Sequence, residues 1–370
     1  MKILVTAKFP EEFRQELSLL SDDIIYAGRG VTGYELDTDQ MINKLQGCQM
    51  LIDGTEKVDG IVMDACKELR IIACCRNEAF ASIDIDAATK RGIPVIAAIG
   101  RNAVSVAEYT IGLLLAVCKN ISMLDHLMRH TNKLSRIYHK RTDDEKVNNK
   151  PAASWSTDPS GPQAVYGGFP ELYNKKFGLI GYGSIGREIA KRVHAFGVDL
   201  LICDPYLNEQ AIAGIAARVV DLKELMGESD FIAICCNVTP ETTGLVSREM
   251  LELMKPTSYI VNTARAPIID YDALYDILKV KRIAGAALDV FPVEPIEIDN
   301  KLLSLDNVVL TPHMAGQARD VPYHQNRIIL NNVKLLLSGD QPMTICNPEV
   351  LDLFFAKNPE MLMLKHPKGM

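Results

Sequence analysis

Phe177-Gly178-Leu179-Ile180-Gly181-Tyr182-Gly183-Ser184-Ile185-Gly186 reads as a β run that breaks into a G-x-G-x-x-G turn and opens directly into a helix. Helical spacing follows at once. Ile185, Ile189 and Val193 recur every fourth residue, with Arg187, Glu188, Lys191 and Arg192 on other faces. In that context Gly181 permits the tight turn, Gly183 lets the backbone approach a pyrophosphate, and Gly186 lets helix and strand pack closely. Tyr182, Ser184 and Ile185 complete a turn whose free N–H groups and positive helix end suit phosphate. The next β run, 200–203, ends in Asp204, 18 residues past Gly186, where a carboxylate meets ribose hydroxyls and repels a 2′-phosphate. The cofactor expected here is NAD rather than NADP.

Outward from this turn, short β runs alternate with helical-period runs, the pattern of parallel sheets wound with crossover helices. Strands are expected over 177–180, 200–203, 231–235, 259–261, 284–288 and 308–310, and an earlier set over 2–6, 24–26, 50–53, 71–75 and 94–97. A long apolar helix over 102–120 joins the sets, and a helix over 318–337 is long enough to return to the first. The expected fold is α/β, two doubly wound parallel-sheet domains, the larger a Rossmann dinucleotide-binding domain. The boundaries read as 1–101 plus 325–355 for a discontinuous smaller domain, 102–324 for the dinucleotide domain, and 356–370 for a tail. Residues 131–174 are polar and rich in charge, Pro, Gly and Ser, and contain Trp155, the only tryptophan. They read as a surface insertion or linker, with a lid or subunit arm as the alternative.

Composition narrows the partners. The 370 residues carry 40 Lys and Arg against 47 Asp and Glu, a net charge of −7 with both signs interspersed, which argues against nucleic acid or an anionic membrane. The longest clean apolar stretch, 111–118, falls far short of the roughly 18 residues of a membrane-spanning helix. The first residues lack a signal-peptide core, so a cytoplasmic location is expected. Nine cysteines without a Cys-x-x-Cys, several inside apolar runs (Cys74, Cys75, Cys203, Cys235, Cys236), read as buried thiols in a reducing compartment. His126 and His130 share helical spacing but lack a metallohydrolase motif, so no metal is expected.

Three further β runs each end in polar residues, where open parallel sheets present their chemistry. They are Val261-Asn262-Thr263-Ala264-Arg265, Ala287-Leu288-Asp289-Val290-Phe291-Pro292-Val293-Glu294-Pro295 and Leu310-Thr311-Pro312-His313-Met314-Ala315-Gly316. With Asp84-Ile85-Asp86-Ala87-Ala88, Arg91-Gly92-Ile93-Pro94-Val95, Arg101-Asn102-Ala103-Val104-Ser105-Val106-Ala107-Glu108, Asp204-Pro205-Tyr206 and Thr239-Pro240-Glu241-Thr242, the chain resembles the D-isomer-specific 2-hydroxyacid dehydrogenases, phosphoglycerate dehydrogenase-like. The resemblance covers nearly everything from Lys2 to about Val350.

It implies Arg265, Glu294 and His313 as the catalytic set, and a cleft between a substrate domain and a cofactor domain. It adds Pro205, Asn237, Thr242, Ala264, Asp289 and Gly316 to the residues near the cofactor, and a homodimer as the assembly. The residue types suit the reaction. Hydride exchange at C2 needs a group that takes or gives the hydroxyl proton, and His313 suits both directions. Glu294 would stabilise the imidazolium and orient the ring, and Arg265 offers a planar fork for the substrate carboxylate.

Departures fall in the substrate loop, which reads Cys75-Arg76-Asn77-Glu78-Ala79-Phe80-Ala81-Ser82 where the family commonly has glycines. Arg76, Asn77 and Glu78 are assigned to the substrate together with Arg265. Ala266 and Asn237 also stand where the family commonly has glycine and proline. Arg76 and Arg101 read either as partners of intradomain salt bridges or as ligands of a second anionic group. An NAD(H)-sensing scaffold resembling the C-terminal-binding-protein corepressors shares the three catalytic residues, as does a phosphite dehydrogenase. A formate dehydrogenase places an amide where Glu294 stands.

Overall fold

The computed structural model describes residues 1–131, 162–207, 212 and 214–362, in two compact units, Met1–Asn102 with Gln317–Met370, and Ala103–Gly316. The first unit holds a five-stranded parallel sheet: β1 (Lys2–Val5), β2 (Asp23–Tyr26), β3 (Met50–Asp53), β4 (Ile71–Cys74) and β5 (Val95–Ala97), ordered β2-β1-β3-β4-β5. Period-two alternation gives the sheet two apolar faces. Ile3, Val5, Met50, Ile52, Ile71 and Ala73 pack with Ile329, Val333 and Leu336 of the helix Val321–Ser338, whereas Leu4, Leu51, Ile72 and Cys74 pack with Met41, Leu45, Val62 and Ala88.

The second passage of this unit begins at Gln317 rather than at 325, because Val321, Gln325 and Asn326 at the start of that helix are already buried. Residues 356–362 are not a tail. Leu351–Lys357 is a helix with Phe354 in the core, and Met361 packs into the same cluster at 4% exposure. Residues 363–370 lie outside the described residues.

At the end of β3, Asp53 is wholly buried, accepting hydrogen bonds from the hydroxyls of Ser82 (3.0 Å) and Thr6 (3.3 Å). Burial, and then the nearby charge of Glu56, push its carboxyl up to about 7. The folded chain thus keeps a proton that an unfolded aspartate releases near pH 4, and stability falls as pH rises from about 4 through about 7. Asp53→Asn is expected to flatten the dependence of Tm on pH over that interval and to raise Tm at pH 8 by a few degrees. An unaltered profile would refute the neutral carboxyl.

The second unit holds seven parallel strands: β6 (Lys176–Ile180), β7 (Asp199–Cys203), β8 (Ala217–Val219), β9 (Phe231–Ile234), β10 (Tyr259–Asn262), β11 (Gly285–Leu288) and β12 (Val308–Leu310), ordered β12-β11-β10-β9-β6-β7-β8. Order reverses at β6 and β9, the topological switch point at which doubly wound sheets bind ligands. The edge strand β8 was not expected from sequence: it is three residues long and half-exposed, with Arg218 at its centre. The helix Ala103–Cys118 is buried against β10, β11 and the helix Ser184–Val193, and Asn120 in the left-handed region separates it from the helix Ile121–His130. Among the described residues no single helix is long and apolar enough to cross a membrane.

Most of the expected insertion, including Trp155, lies outside the described residues. Its last part belongs to the unit: Asn120 donates to the Tyr166 carbonyl (3.1 Å), and Leu172 is buried in the core.

Candidate active site

The β6 turn is built as its glycines demand. Gly181 has φ +95°, and a Cβ there would lie 2.7 Å from the Cys236 amide nitrogen. A Cβ on Gly186 would lie 2.6 Å from the Gly181 carbonyl, so helix and strand could not close. Gly183 differs. Its backbone is extended (φ −71°, ψ −155°) and an added Cβ meets nothing within 4 Å, so neither strain nor packing explains a glycine there. Open space at the start of the helix Ser184–Val193, with no side chain capping its N–H groups, fits a pyrophosphate that approaches the backbone. Asp204, at the end of β7, meets this turn: one carboxylate oxygen accepts from the Tyr182 N–H at 2.7 Å and the other from the Tyr206 N–H at 2.9 Å. Two oxygens offer about four acceptor sites, so capacity remains for ribose hydroxyls. Pro205 follows on the surface, and the Tyr182 ring is buried, 2% exposed.

The three polar strand ends converge. Asn262, wholly buried at the end of β10, folds the next loop by accepting from the Ala264 N–H (3.0 Å) and donating to the Arg265 carbonyl (3.1 Å). Arg265 donates to the Ala264 carbonyl (2.8 Å), and its charge reaches Glu294. Glu294 accepts from the Phe291 N–H at 2.9 Å and sits 2.7 Å from His313 Nδ1. Burial raises its carboxyl, but the hydrogen bonds with His313 and the Phe291 N–H, and the charges of His313 and Arg265, outweigh it and hold it below the usual carboxylate range. Glu294 is therefore ionised at neutral pH. His313 Nε2 has no protein partner among the described residues.

His313 has φ +56°, uncommon for a residue with a side chain. Asp289 holds it there. This buried carboxylate accepts from the Thr311 hydroxyl (2.5 Å) and from the N–H groups of Met314 and Ala315 (2.9 Å each), while its carbonyl accepts from the His313 N–H (2.8 Å). Ser105 secures the far end by donating to the Ala315 carbonyl (2.6 Å), just before Gly316. Asp289, expected near the cofactor, also positions the histidine loop through its carboxylate oxygens. Thr242 is likewise occupied, accepting from the Thr239 N–H (2.7 Å) and donating to the carbonyl of the exposed Asn237 (2.6 Å), which makes it the clamp of its own turn.

Sequence reasoning missed Asn262, Thr311 and Ser105. Each is a polar side chain that shapes a loop at or near a strand end, and Asn262 and Thr311 carry a local signal, each a polar residue ending an apolar run.

In the first unit, the loops after β4 and β5 are tied together. The Ala98 N–H donates to the carbonyls of Cys74 and Arg76, Gly100 N–H to Asn77 Oδ1 (2.9 Å), and Asn77 Nδ2 to Asn102 Oδ1 (2.8 Å). Asn77, expected at the substrate, has its amide occupied in joining these loops. Glu78 and Phe80 are exposed, and the backbone N–H groups of Arg76 and Asn77 have no acceptor among the described residues.

Thiol chemistry is disfavoured. All nine cysteines are free, and burial pushes Cys74 up to about 12 and Cys236 up to about 11. The rings of His126 and His130 lie 4.9 Å apart, and the described residues contain no group of three metal-ligating side chains.

The model of the family described as "D-isomer specific 2-hydroxyacid dehydrogenase, NAD binding domain" matches residues 111–315. The chain belongs to that family. Like its relatives, this dehydrogenase acts on a small 2-hydroxy or 2-oxo acid with a nicotinamide dinucleotide. It is 33% identical over 354 residues to a glyoxylate reductase of Thermofilum pendens, covering 95% of each chain. It is 32% identical over 350 residues to a D-3-phosphoglycerate dehydrogenase of Methanocaldococcus jannaschii, covering 94% of this chain and 59% of that longer one. The NAD-complexed D-isomer specific 2-hydroxyacid dehydrogenase of Lactobacillus delbrueckii shares the fold, with a TM-score of 0.72 at 21% identity over 94% of this chain and 100% of that one.

Proposed function

We propose that this dehydrogenase reduces a small 2-oxo acid to the D-2-hydroxy acid with NADH, in preference to NADPH, and that Arg265, Glu294 and His313 are its catalytic residues. The observation that carries the reading is the His313–Glu294 pair at 2.7 Å, with Arg265 acting on the same carboxylate. The nicotinamide, when bound, supplies the hydride that C2 receives. His313 Nε2 gives the proton to the C2 oxygen, and the ionised Glu294 holds the ring by Nδ1 and stabilises the imidazolium before transfer. In the oxidative direction the same nitrogen takes the hydroxyl proton. Arg265 binds the substrate carboxylate through its fork. In the first unit, the family resemblance assigns Arg76, Asn77 and Glu78 to the substrate, and Asn77 holds the loop that carries them. Nine free thiols support a reducing cytosol, and the family resemblance supports a homodimer.

The experiment is NADH oxidation at 340 nm across 2-oxo acids, with NADPH in parallel. Turnover of at least one acid with NADH is expected, and no turnover with any, NADH being bound, would overturn the reading. Asp204 sets the coenzyme preference, since its carboxylate favours free ribose hydroxyls and repels a 2′-phosphate. Asp204→Ala is expected to narrow the NADH-over-NADPH ratio of kcat/KM by about tenfold, that is about 1.4 kcal/mol. A ratio left unchanged would remove Asp204 from that role.

A further inference from the structure

The His313–Glu294 pair hangs on one peptide bond. Glu294 accepts from the Phe291 N–H at 2.9 Å while its other carboxylate oxygen meets His313 Nδ1, and the carbonyl of that same peptide, Val290, accepts from the Tyr271 hydroxyl at 2.5 Å. A peptide unit is planar, so the direction of its carbonyl fixes the direction of its N–H. Whatever holds the Val290 carbonyl therefore aims the donor that holds Glu294. A hydrogen bond on the carbonyl also polarises the peptide and strengthens its N–H as a donor.

Tyr271 lies six residues after Arg265, outside every motif on which the resemblance rests. It opens the helix Tyr271–Lys279 and packs half-buried against the core of the second unit, with Asp270 capping the helix by accepting from the Ala273 N–H (2.9 Å). Its hydroxyl has a second partner, the Asn262 side chain. The bonding capacities fit: Asn262 Oδ1 is taken by the Ala264 N–H and one hydrogen of Nδ2 by the Arg265 carbonyl, which leaves the other for the tyrosine oxygen, whose own proton goes to Val290. One phenol thus joins the loop that carries Arg265 to the loop that carries Glu294. Burial, and then the charges of Glu294 and Asp289, push the phenol up, so it stays a donor at neutral pH.

We propose that Tyr271 is a positioning residue for the catalytic pair, its hydroxyl setting the Val290–Phe291 peptide so that Glu294 stays on His313 Nδ1, and holding the Arg265 loop in the same frame through Asn262. The inference rests on the proposed roles of Glu294 and His313. In those roles the neutral His313 ring must carry its one proton on Nδ1, because Nε2 exchanges the substrate proton. The tautomer of that ring therefore reports the pair directly.

The test is nitrogen NMR of the full-length protein at a pH where His313 is neutral, its signals being those lost in His313→Asn. The wild-type ring is expected to carry its proton on Nδ1. Tyr271→Phe keeps the ring in the core and removes only the hydroxyl. It is expected to lower the ratio of the Nδ1–H to the Nε2–H form at least about fivefold, the weight of one net hydrogen bond, and to lower kcat/KM by a similar factor while NADH affinity is kept. An unaltered ratio in the variant, or an altered ratio with wild-type kcat/KM, would overturn the proposal. So would a wild-type ring protonated on Nε2, which needs no variant to be seen. A tautomer shift in a protein that turns over no 2-oxo acid supports the positioning and counts against the reduction alone.

Discussion

His313→Asn is expected to lower kcat/KM by about 10²–10⁴-fold, the range that a positioned general acid supplies, while NADH still binds. Asparagine is the replacement that isolates chemistry from structure. Position 313 has φ +56°, a left-handed conformation that asparagine tolerates far better than alanine, so the clamp built by Asp289 can persist. What is lost is the nitrogen that carries the proton. Glu294→Gln is expected to cost less, because the amide can still meet His313 Nδ1 and loses only the charge that stabilises the imidazolium. Steady-state rates read with NADH fluorescence titrations check both variants. Retained turnover in His313→Asn would place the proton transfer elsewhere, and loss of NADH binding together with turnover would point to a collapsed loop.

Sequence carried far where the signal was local. The glycine turn, Asp204 and the polar ends of β10, β11 and β12 each depend on residues close in the chain, so the types declare the structure. Non-local decisions were hidden. Nothing near Asp289 tells that its oxygens are engaged by residues 22 to 26 positions later, so its support of His313 is hidden in the sequence. Asn77 and Thr242 hide a structural role in the same way, because a side chain facing a loop can serve a ligand, the loop itself or both. The edge strand β8, three residues long with Arg218 at its centre, is too short to register as a strand and forms because β7 offers it a ladder. Met361 shows the converse, an apolar residue just past the polar residues 357–360 whose burial depends on a core assembled from distant segments.

The glycine turn separates two demands that look alike in sequence, and paired substitutions should pull them apart. Gly183→Asn is expected to leave Tm unchanged or raise it slightly, because the position is extended, its Cβ would enter open space, and asparagine is a preferred first cap of the helix Ser184–Val193. NADH affinity should nevertheless fall by about a hundredfold, about 2.7 kcal/mol, since the new side chain fills the space through which a pyrophosphate reaches the backbone N–H groups. Gly181→Ala should fail differently. At φ +95° and 2.7 Å from the Cys236 nitrogen, the added methyl strains the apoprotein by about 1–3 kcal/mol, so Tm drops whether or not NADH is present. Thermal melts with and without NADH distinguish the outcomes. NADH affinity unchanged in Gly183→Asn would mean that the open space there serves something other than the cofactor, and the argument from Gly183 to a dinucleotide would fail even with Asp204 in place.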